Sequence, residues 1–213
     1  RMLDWLETNG ILPRGTGPRC PRVLGSTKAT AAPSTTQSPG TSGIIAAELY
    51  VPRFYVEQVE LEEVHGCPGK YTDGLSQQQI GFCEGDEDVV SYALTAVSRL
   101  MERNNIDWNS VARIDVGSES AVDRSKSVRS FICQLFEQHG VNDIEGADHV
   151  HACYGGTAAF IDACSWSESP GGEGKYALVV AADIANQPEQ YLFMYGSGVV
   201  AMLVGRDAPL RLV

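Results

Sequence analysis

The sequence predicts an α/β fold, a layered sheet with helices on its faces. Three observations carry this expectation. Two strand-like runs, Tyr176–Asp183 (YALVVAAD) and Ser197–Gly205, are apolar on both faces and need cover on both sides. Such runs alternate with segments of helical periodicity. The composition, 43% hydrophobic and 20% charged over 213 residues, is that of a chain able to bury a core.

The elements run in order along the chain. Residues 1–42 read as a disordered or linker-like segment, because Thr27–Ser42 is rich in Ser, Thr, Ala, Pro and Gly. That segment is poor in acids and holds scattered arginines, so a transit peptide is its alternative reading. Order is expected from Gly43, with residues 43–213 forming one domain. Gly43–Val51 (GIIAAELYV) is a strand closed by Pro52. A short helix is expected within Leu75–Cys83, ending near Gly81. Asp88–Asn104 is an amphipathic helix: Val89, Val90, Ala93, Val97, Leu100 and Met101 share one face, and Asp86 or Asp88 caps it. Val111–Val116 is a strand ending at Gly117. Ser125–His139 is a second amphipathic helix with Gly140 as its stop. Asp148–Cys153 is short and extended. Thr157–Ser165 is apolar on nearly all sides, as a buried helix would be. The chain starts at Arg1 and ends just after a strand, so it is expected to be part of a longer protein.

Charge excludes some functions. The net charge is −11, and residues 1–42 hold five basic and two acidic residues, so the remainder is more acidic still. A general nucleic-acid grip, which needs Lys and Arg to displace counterions, is not expected. Nor is a membrane span, since no apolar run approaches about 20 residues. The six cysteines lack any C-x-x-C spacing, and reduced thiols in an intracellular compartment are the expectation.

The chemistry concentrates in His151-Ala-Cys-Tyr-Gly-Gly-Thr157. A cysteine at a strand-to-helix junction feels the helix dipole and free N–H groups, which favour thiolate and can hold an oxyanion. Cys153 is therefore a candidate nucleophile, with a buried inert thiol as the alternative. Glu119, just beyond the end of a buried strand, is a candidate general acid/base if desolvated, and otherwise an exposed loop acid. Asp183, at the end of the Tyr176–Asp183 strand, is a third candidate site acid, or else a turn residue. His149, His151 and Cys153 alternate and would share one side of a strand. Zinc ligation is conceivable there, but adjacent residues of one strand rarely wrap a tetrahedral ion, so coincidence is the preferred reading.

A run of motifs then resembles the hydroxymethylglutaryl-CoA synthase family. They are Lys70-Tyr-Thr-Asp-Gly-Leu, Gly81-Phe-Cys, Leu100-Met-Glu-Arg-Asn-Asn, Val116-Gly-Ser-Glu-Ser, Asp123-Arg-Ser-Lys-Ser-Val, Gln134-Leu-Phe-Glu, Asp143-Ile-Glu-Gly, Ala152-Cys-Tyr-Gly-Gly-Thr-Ala-Ala, Tyr176-Ala-Leu-Val-Val-Ala-Ala-Asp-Ile-Ala and Ala201-Met-Leu-Val-Gly. They run in order from about Gly43 to Leu210. The resemblance implies a thiolase-like α/β/α fold, of which this chain is the N-terminal half. It implies condensation of acetyl-CoA with acetoacetyl-CoA through an acetyl-cysteine, with CoA thioesters as partners, no metal or redox cofactor, a homodimer, and a cytoplasmic or mitochondrial location. By position it makes Cys153 the acetyl carrier and Glu119 the general acid/base, with Tyr154, Asp123, Asp183 and Gly196 around the substrate.

The chain departs from the family in three ways. The family is about twice as long, and its catalytic histidine lies in the other half; His65, His139, His149 and His151 do not match it. Asn186–Tyr195 replaces a Gly/Asn/Ala/Arg/Pro/Thr-type loop, and Tyr195 stands for a threonine facing the site, where a ring would fill the acyl pocket. His151 stands for an asparagine. Two other readings remain: a catalytically incomplete relic or interaction module of the same fold, and, more weakly, an initiation-type ketoacyl synthase.

Overall fold

The computed structural model describes residues 42–185 and 188–212. Almost all of the expected N-terminal arm lies outside the described residues, as do Cys20 and residues 186–187 of the altered loop. Ser42, however, already belongs to a strand. It is buried, and its N–H and hydroxyl both donate to the Glu168 carboxylate, at 3.1 and 2.9 Å.

The described residues fall into two compact units. The larger comprises 42–50, 89–182 and 199–212. It holds strands β1 (Ser42–Tyr50), β4 (Val111–Gly117), β5 (Asp148–His149), most of β6 (Tyr176–Ile184) and β7 (Ser197–Arg206), and β8 (Leu210–Arg211). The sheet order is β5-β4-β6-β7-β1-β8. β4 runs parallel to β5 and β6, whereas β1 is antiparallel to β7 and β8.

The register explains the apolar runs. Arg113, Asp115 and Gly117 of β4 lie opposite Ala177, Val179 and Ala181 of β6. Helix α4 (Gly155–Glu168) covers this face, where Ala159, Ala163, Cys164 and Trp166 pack on Ala177, Val179 and Val204. The other face carries Ile114, Val116, Leu178 and Val180, all fully buried. On that side α2 (Val89–Arg103) and α3 (Val128–Glu137) pack on each other, α2 on β1 and α3 on β4. Helix, sheet, helix is the layering expected. All six apolar residues predicted for the α2 face are buried. At about 1.5–3 kcal/mol per large apolar side chain, this face alone explains why α2 forms.

Two expectations change. α3 begins at Val128 rather than Ser125, because Ser127 caps it and the Asp148 carboxylate accepts from the Val128 and Arg129 N–H groups at 2.6 and 3.1 Å. α4 is buried on one side only: Thr157, Ile161, Asp162 and Ser165 are exposed. Its apolar outer side meets no covering layer within the described residues of this unit.

The smaller unit comprises 51–88, 183–185 and 188–198. The expected helix within Leu75–Cys83 is instead strand β3 (Gln79–Phe82), antiparallel to β2 (Phe54–Glu57). Gly81, read as a helix stop, sits inside that strand opposite Tyr55. Helix α1 (Gln58–His65), which the sequence pattern does not announce, is held by tertiary contacts. Val56, Leu61, Tyr71 and Phe82 form its core, with Phe193 stacked on Tyr71 at 4.3 Å between ring centroids.

Glu62 of α1 is almost fully buried. Its carboxylate accepts from the N–H groups of Gly69, Tyr71 and Thr72 at 2.6–2.8 Å and from the Thr72 hydroxyl at 3.0 Å. Burial pushes this carboxyl up, but the hydrogen bonds from Thr72, Gly69 and Tyr71 outweigh burial and hold it below its ordinary value. A depressed carboxyl stabilises the fold above its unfolded pKa, and that contribution is lost as pH falls through the folded value. Glu62→Gln is therefore expected to lower the thermal midpoint at pH 7 by several degrees. The gap to wild type should close in acid, below the ordinary carboxylate range; a gap independent of pH would contradict this.

Candidate functional site

The site grows from a backbone-to-backbone contact. β4 ends at Gly117, against the first turn of α4. A Cβ on Gly117 would lie 2.2 Å from the Gly156 nitrogen and 2.3 Å from the Gly155 carbonyl carbon. A Cβ on Gly155 would lie 2.5 Å from the His149 carbonyl oxygen, and one on Gly156 would lie 2.8 Å from the Ala181 Cβ. No side chain fits at the first two positions. The ends of β4 and β5 and the start of α4 thus converge within van der Waals reach.

That contact positions a candidate residue in each segment. Glu119 is two residues beyond Gly117, and Cys153 is two residues before Gly155. The Cys153 thiol donates to Glu119 Oε1 at 3.5 Å, and both residues are exposed. The Glu119 loop is braced at its base: Ser118 is buried, its N–H donates to the His149 carbonyl at 3.4 Å, and its Oγ accepts from the Ser120 N–H at 3.1 Å. The cysteine loop closes by two turn bonds, Tyr154 N–H to the His151 carbonyl and Gly155 N–H to the Ala152 carbonyl, both 3.1 Å. Gly155 is therefore already committed and is not a spare oxyanion donor. Ala152 has φ +44°, a left-handed conformation that costs an L-residue about 1–2 kcal/mol. The strain lies in the residue that turns Cys153 toward Glu119.

The remaining predicted residues fall in different places. Tyr154 is half exposed and meets His151 edge to face at 5.3 Å between ring centroids. Asp123 is exposed, and its carboxylate accepts from Ser125 N–H at 2.7 Å, shaping the approach to α3. Asp183 and Gly196 belong to the smaller unit. Asp183 is a half-buried residue of β6, and Gly196 accepts from Ala185 N–H at 3.1 Å beside Gly81. Glu119 is not desolvated within this chain.

The alternating His149, His151 and Cys153 do not converge. The His149 ring turns to Asp115 and Asp162, and His151 to Tyr154. Among the described residues, no three His, Cys, Asp or Glu side chains are arranged to hold a metal ion. The five described cysteines are free thiols, and burial pushes the Cys133 and Cys164 thiols up. Sequence reasoning missed Asp115, a fully buried acid bonded by Arg113 and by the Ala147 N–H. Its signal was an acid in the middle of an otherwise apolar strand.

A thiol and a carboxylate in contact at the end of a parallel strand suit acyl transfer followed by proton abstraction. Comparisons with known proteins point the same way. The family profile described as hydroxymethylglutaryl-coenzyme A synthase N terminal matches residues 38–209. The cytoplasmic hydroxymethylglutaryl-CoA synthase of Gallus gallus is 49% identical over 174 residues, covering 81% of this chain and 33% of that protein. The mitochondrial enzyme of Bos taurus is 49% identical over 176 residues, 82% of this chain and 35% of that one. Among solved structures, MvaS in complex with 3-hydroxy-3-methylglutaryl coenzyme A aligns with a TM-score of 0.74 at 35% identity, covering 79% of this chain and 40% of its own. The curacin-pathway HMG synthase in complex with an acetyl donor-ACP aligns with a TM-score of 0.69 at 26% identity, covering 78% and 41%. The chain spans about a third of the length of the curated relatives it matches.

The glycine contact yields a stability prediction. Gly117→Ala should cost about 3 kcal/mol in urea unfolding, because the strand and helix backbones must separate. Gly140→Ala, at φ +79° with open space around it, should cost only about 1 kcal/mol. Equal losses would refute the contact.

Proposed function

The chain belongs to the hydroxymethylglutaryl-CoA synthase family, and from that premise we propose that it carries the nucleophile-bearing part of a condensing acyltransferase. The observation that carries the proposal is the 3.5 Å approach of the Cys153 thiol to the Glu119 carboxylate at the end of β4. Cys153 sulfur attacks the carbonyl carbon of acetyl-CoA. The bond from that carbon to the CoA sulfur breaks, CoA leaves as its thiol, and the acetyl group stays on Cys153. Glu119 takes a proton from the acetyl methyl group. The carbon so exposed adds to the ketone of acetoacetyl-CoA, and the new alkoxide is protonated. Water then cleaves the Cys153 thioester and frees HMG-CoA. No step calls for a metal or redox cofactor.

Both side chains are exposed in this chain, so the dry surroundings that such proton abstraction favours come from substrate and from further protein. The relatives' greater length is consistent with that need, and by resemblance their catalytic histidine lies outside the matched region. Tyr154, Asp123, Asp183 and Gly196 are proposed to line the substrate path. CoA thioesters are the proposed substrates, a homodimer the working assembly and the cytoplasm the working compartment, with the mitochondrion as its alternative.

One observation favours a second reading, a catalytically incomplete interaction module. The segment that departs from the family, where Glu189–Met194 forms a 3-10 turn, is anchored by Phe193. The Phe193 ring stacks on Tyr71, and its carbonyl accepts from Gln58 Nε2 at 3.2 Å. An aromatic anchor there gives a different loop from the Gly/Asn/Ala/Arg/Pro/Thr-type loop of the family.

Assays of the full-length protein with acetyl-CoA and acetoacetyl-CoA separate the readings. The enzyme reading expects condensation. It expects Cys153→Ala to abolish it, and Glu119→Gln to slow it about 10²–10⁴-fold while acetyl transfer to Cys153 persists. A wild-type protein inert toward both thioesters would leave the module reading in its place.

A further inference from the structure

We propose that His149 is a positioning residue for the nucleophile loop, pinning its two ends together from outside the reacting atoms. The inference rests on the reading of Cys153 as acyl carrier, but its structural argument is separate. Loop 150–154 joins β5 to α4 and has little burial to hold it: Val150, Cys153 and Tyr154 are all exposed. Its placement therefore depends on its ends.

The strand end is held to β4 by backbone bonds, among them Val116 N–H to the Ala147 carbonyl at 2.9 Å and Ser118 N–H to the His149 carbonyl at 3.4 Å. β5 itself is a two-residue edge strand with pairs Val116–Asp148 and Gly117–His149, so its side chains decide how the loop leaves it. Asp148 turns away to cap α3. His149 turns the other way, and its ring, only 15% exposed, spans between two carboxylates. Nε2 lies 3.3 Å from Oδ1 of buried Asp115 on β4, and Nδ1 lies 3.8 Å from Oδ2 of Asp162 on α4. One ring thus sits between the strand that leads to Glu119, within hydrogen-bond distance of Asp115, and the helix that follows the loop, with Asp162 of that helix 3.8 Å away. Asp115 does not depend on His149, since Arg113 and the Ala147 N–H also bond it. Loss of the imidazole should loosen the loop without unfolding the sheet.

The test uses the full-length protein. Acetyl loading of Cys153 from acetyl-CoA is timed by peptide mass spectrometry in wild type, His149→Leu, His149→Gln and Asp162→Asn. Iodoacetamide labelling of Cys133 and Cys164 in the same samples reports unfolding. His149→Leu should slow loading about 10-fold, on the scale of a sub-ångström to 1 Å displacement of a reacting group. His149→Gln, which keeps a donor for Asp115, should recover to within about 3-fold of wild type. Asp162→Asn, an exposed change that leaves the core alone, should slow loading about 3-fold, so the test stands even if a His149 variant folds poorly. Wild-type loading in both His149→Leu and Asp162→Asn overturns the inference. So does equal slowing in the Leu and Gln variants with matching exposure of Cys133 and Cys164, which marks a purely structural role. Cys153→Ala, followed as acetyl added to the whole protein by intact mass, distinguishes the layers: acetyl uptake from acetyl-CoA that matches wild type there overturns the acyl-carrier reading, whereas uptake lost there but untouched by the His149 and Asp162 changes overturns only the positioning role.

Discussion

The structure of the site depends on Gly117 lying directly against Gly155 and Gly156. A strand end and a helix start are ordinarily kept apart by side chains; here there are none, and the backbones touch. Both candidate groups are placed by that contact. Two residues onward along one segment stands a carboxylate, and two residues back along the other stands a thiol. Their 3.5 Å separation follows from backbone geometry more than from any mutual attraction, which at an exposed pair would be weak.

The rest of the larger unit keeps that contact in place. Parallel strands β4 and β6 are buried on both faces, so their ends are rigid. α4 is held along one side by small residues, Ala159 and Ala163, which allow it to lie close to the sheet. Arg113, Asp115, His149 and Asp162 lie in a row on this face between β4, β5 and α4. A buried carboxylate is costly unless paired, and Arg113 pairs Asp115. The outer side of α4 and the two loops leave Ile161, Val122, Val150 and Tyr154 exposed.

Much of this is legible in the residues. The two-faced strands and the α2 stripe are legible because burial writes a simple period. Cys153 and Glu119 stand out in the residues only as candidates, with an inert thiol and an exposed loop acid left open beside them, and the resemblance to the family is what singles them out. Their contact is not legible, since it depends on which glycine meets which. The smaller unit is the least legible part. α1 carries no clean apolar stripe and is held by Gln58 and Glu62 bonding to distant backbone, which no local pattern reveals. β3 resembles a helix in sequence because four residues carry too little period, and its partner β2 lies more than twenty residues earlier. The His149 link is hidden for the same reason: alternation suggests three side chains on one side, but two residues of strand are too few to keep it.

The most direct measurement is a crystal structure of the full-length protein without substrate, read at one distance. The account predicts Gly117 in contact with the first turn of α4 and the Cys153 sulfur within hydrogen-bonding reach of the Glu119 carboxylate, under about 4 Å. A side chain or water between strand and helix, with the two groups more than about 6 Å apart, would contradict it, because no direct hydrogen bond spans that gap.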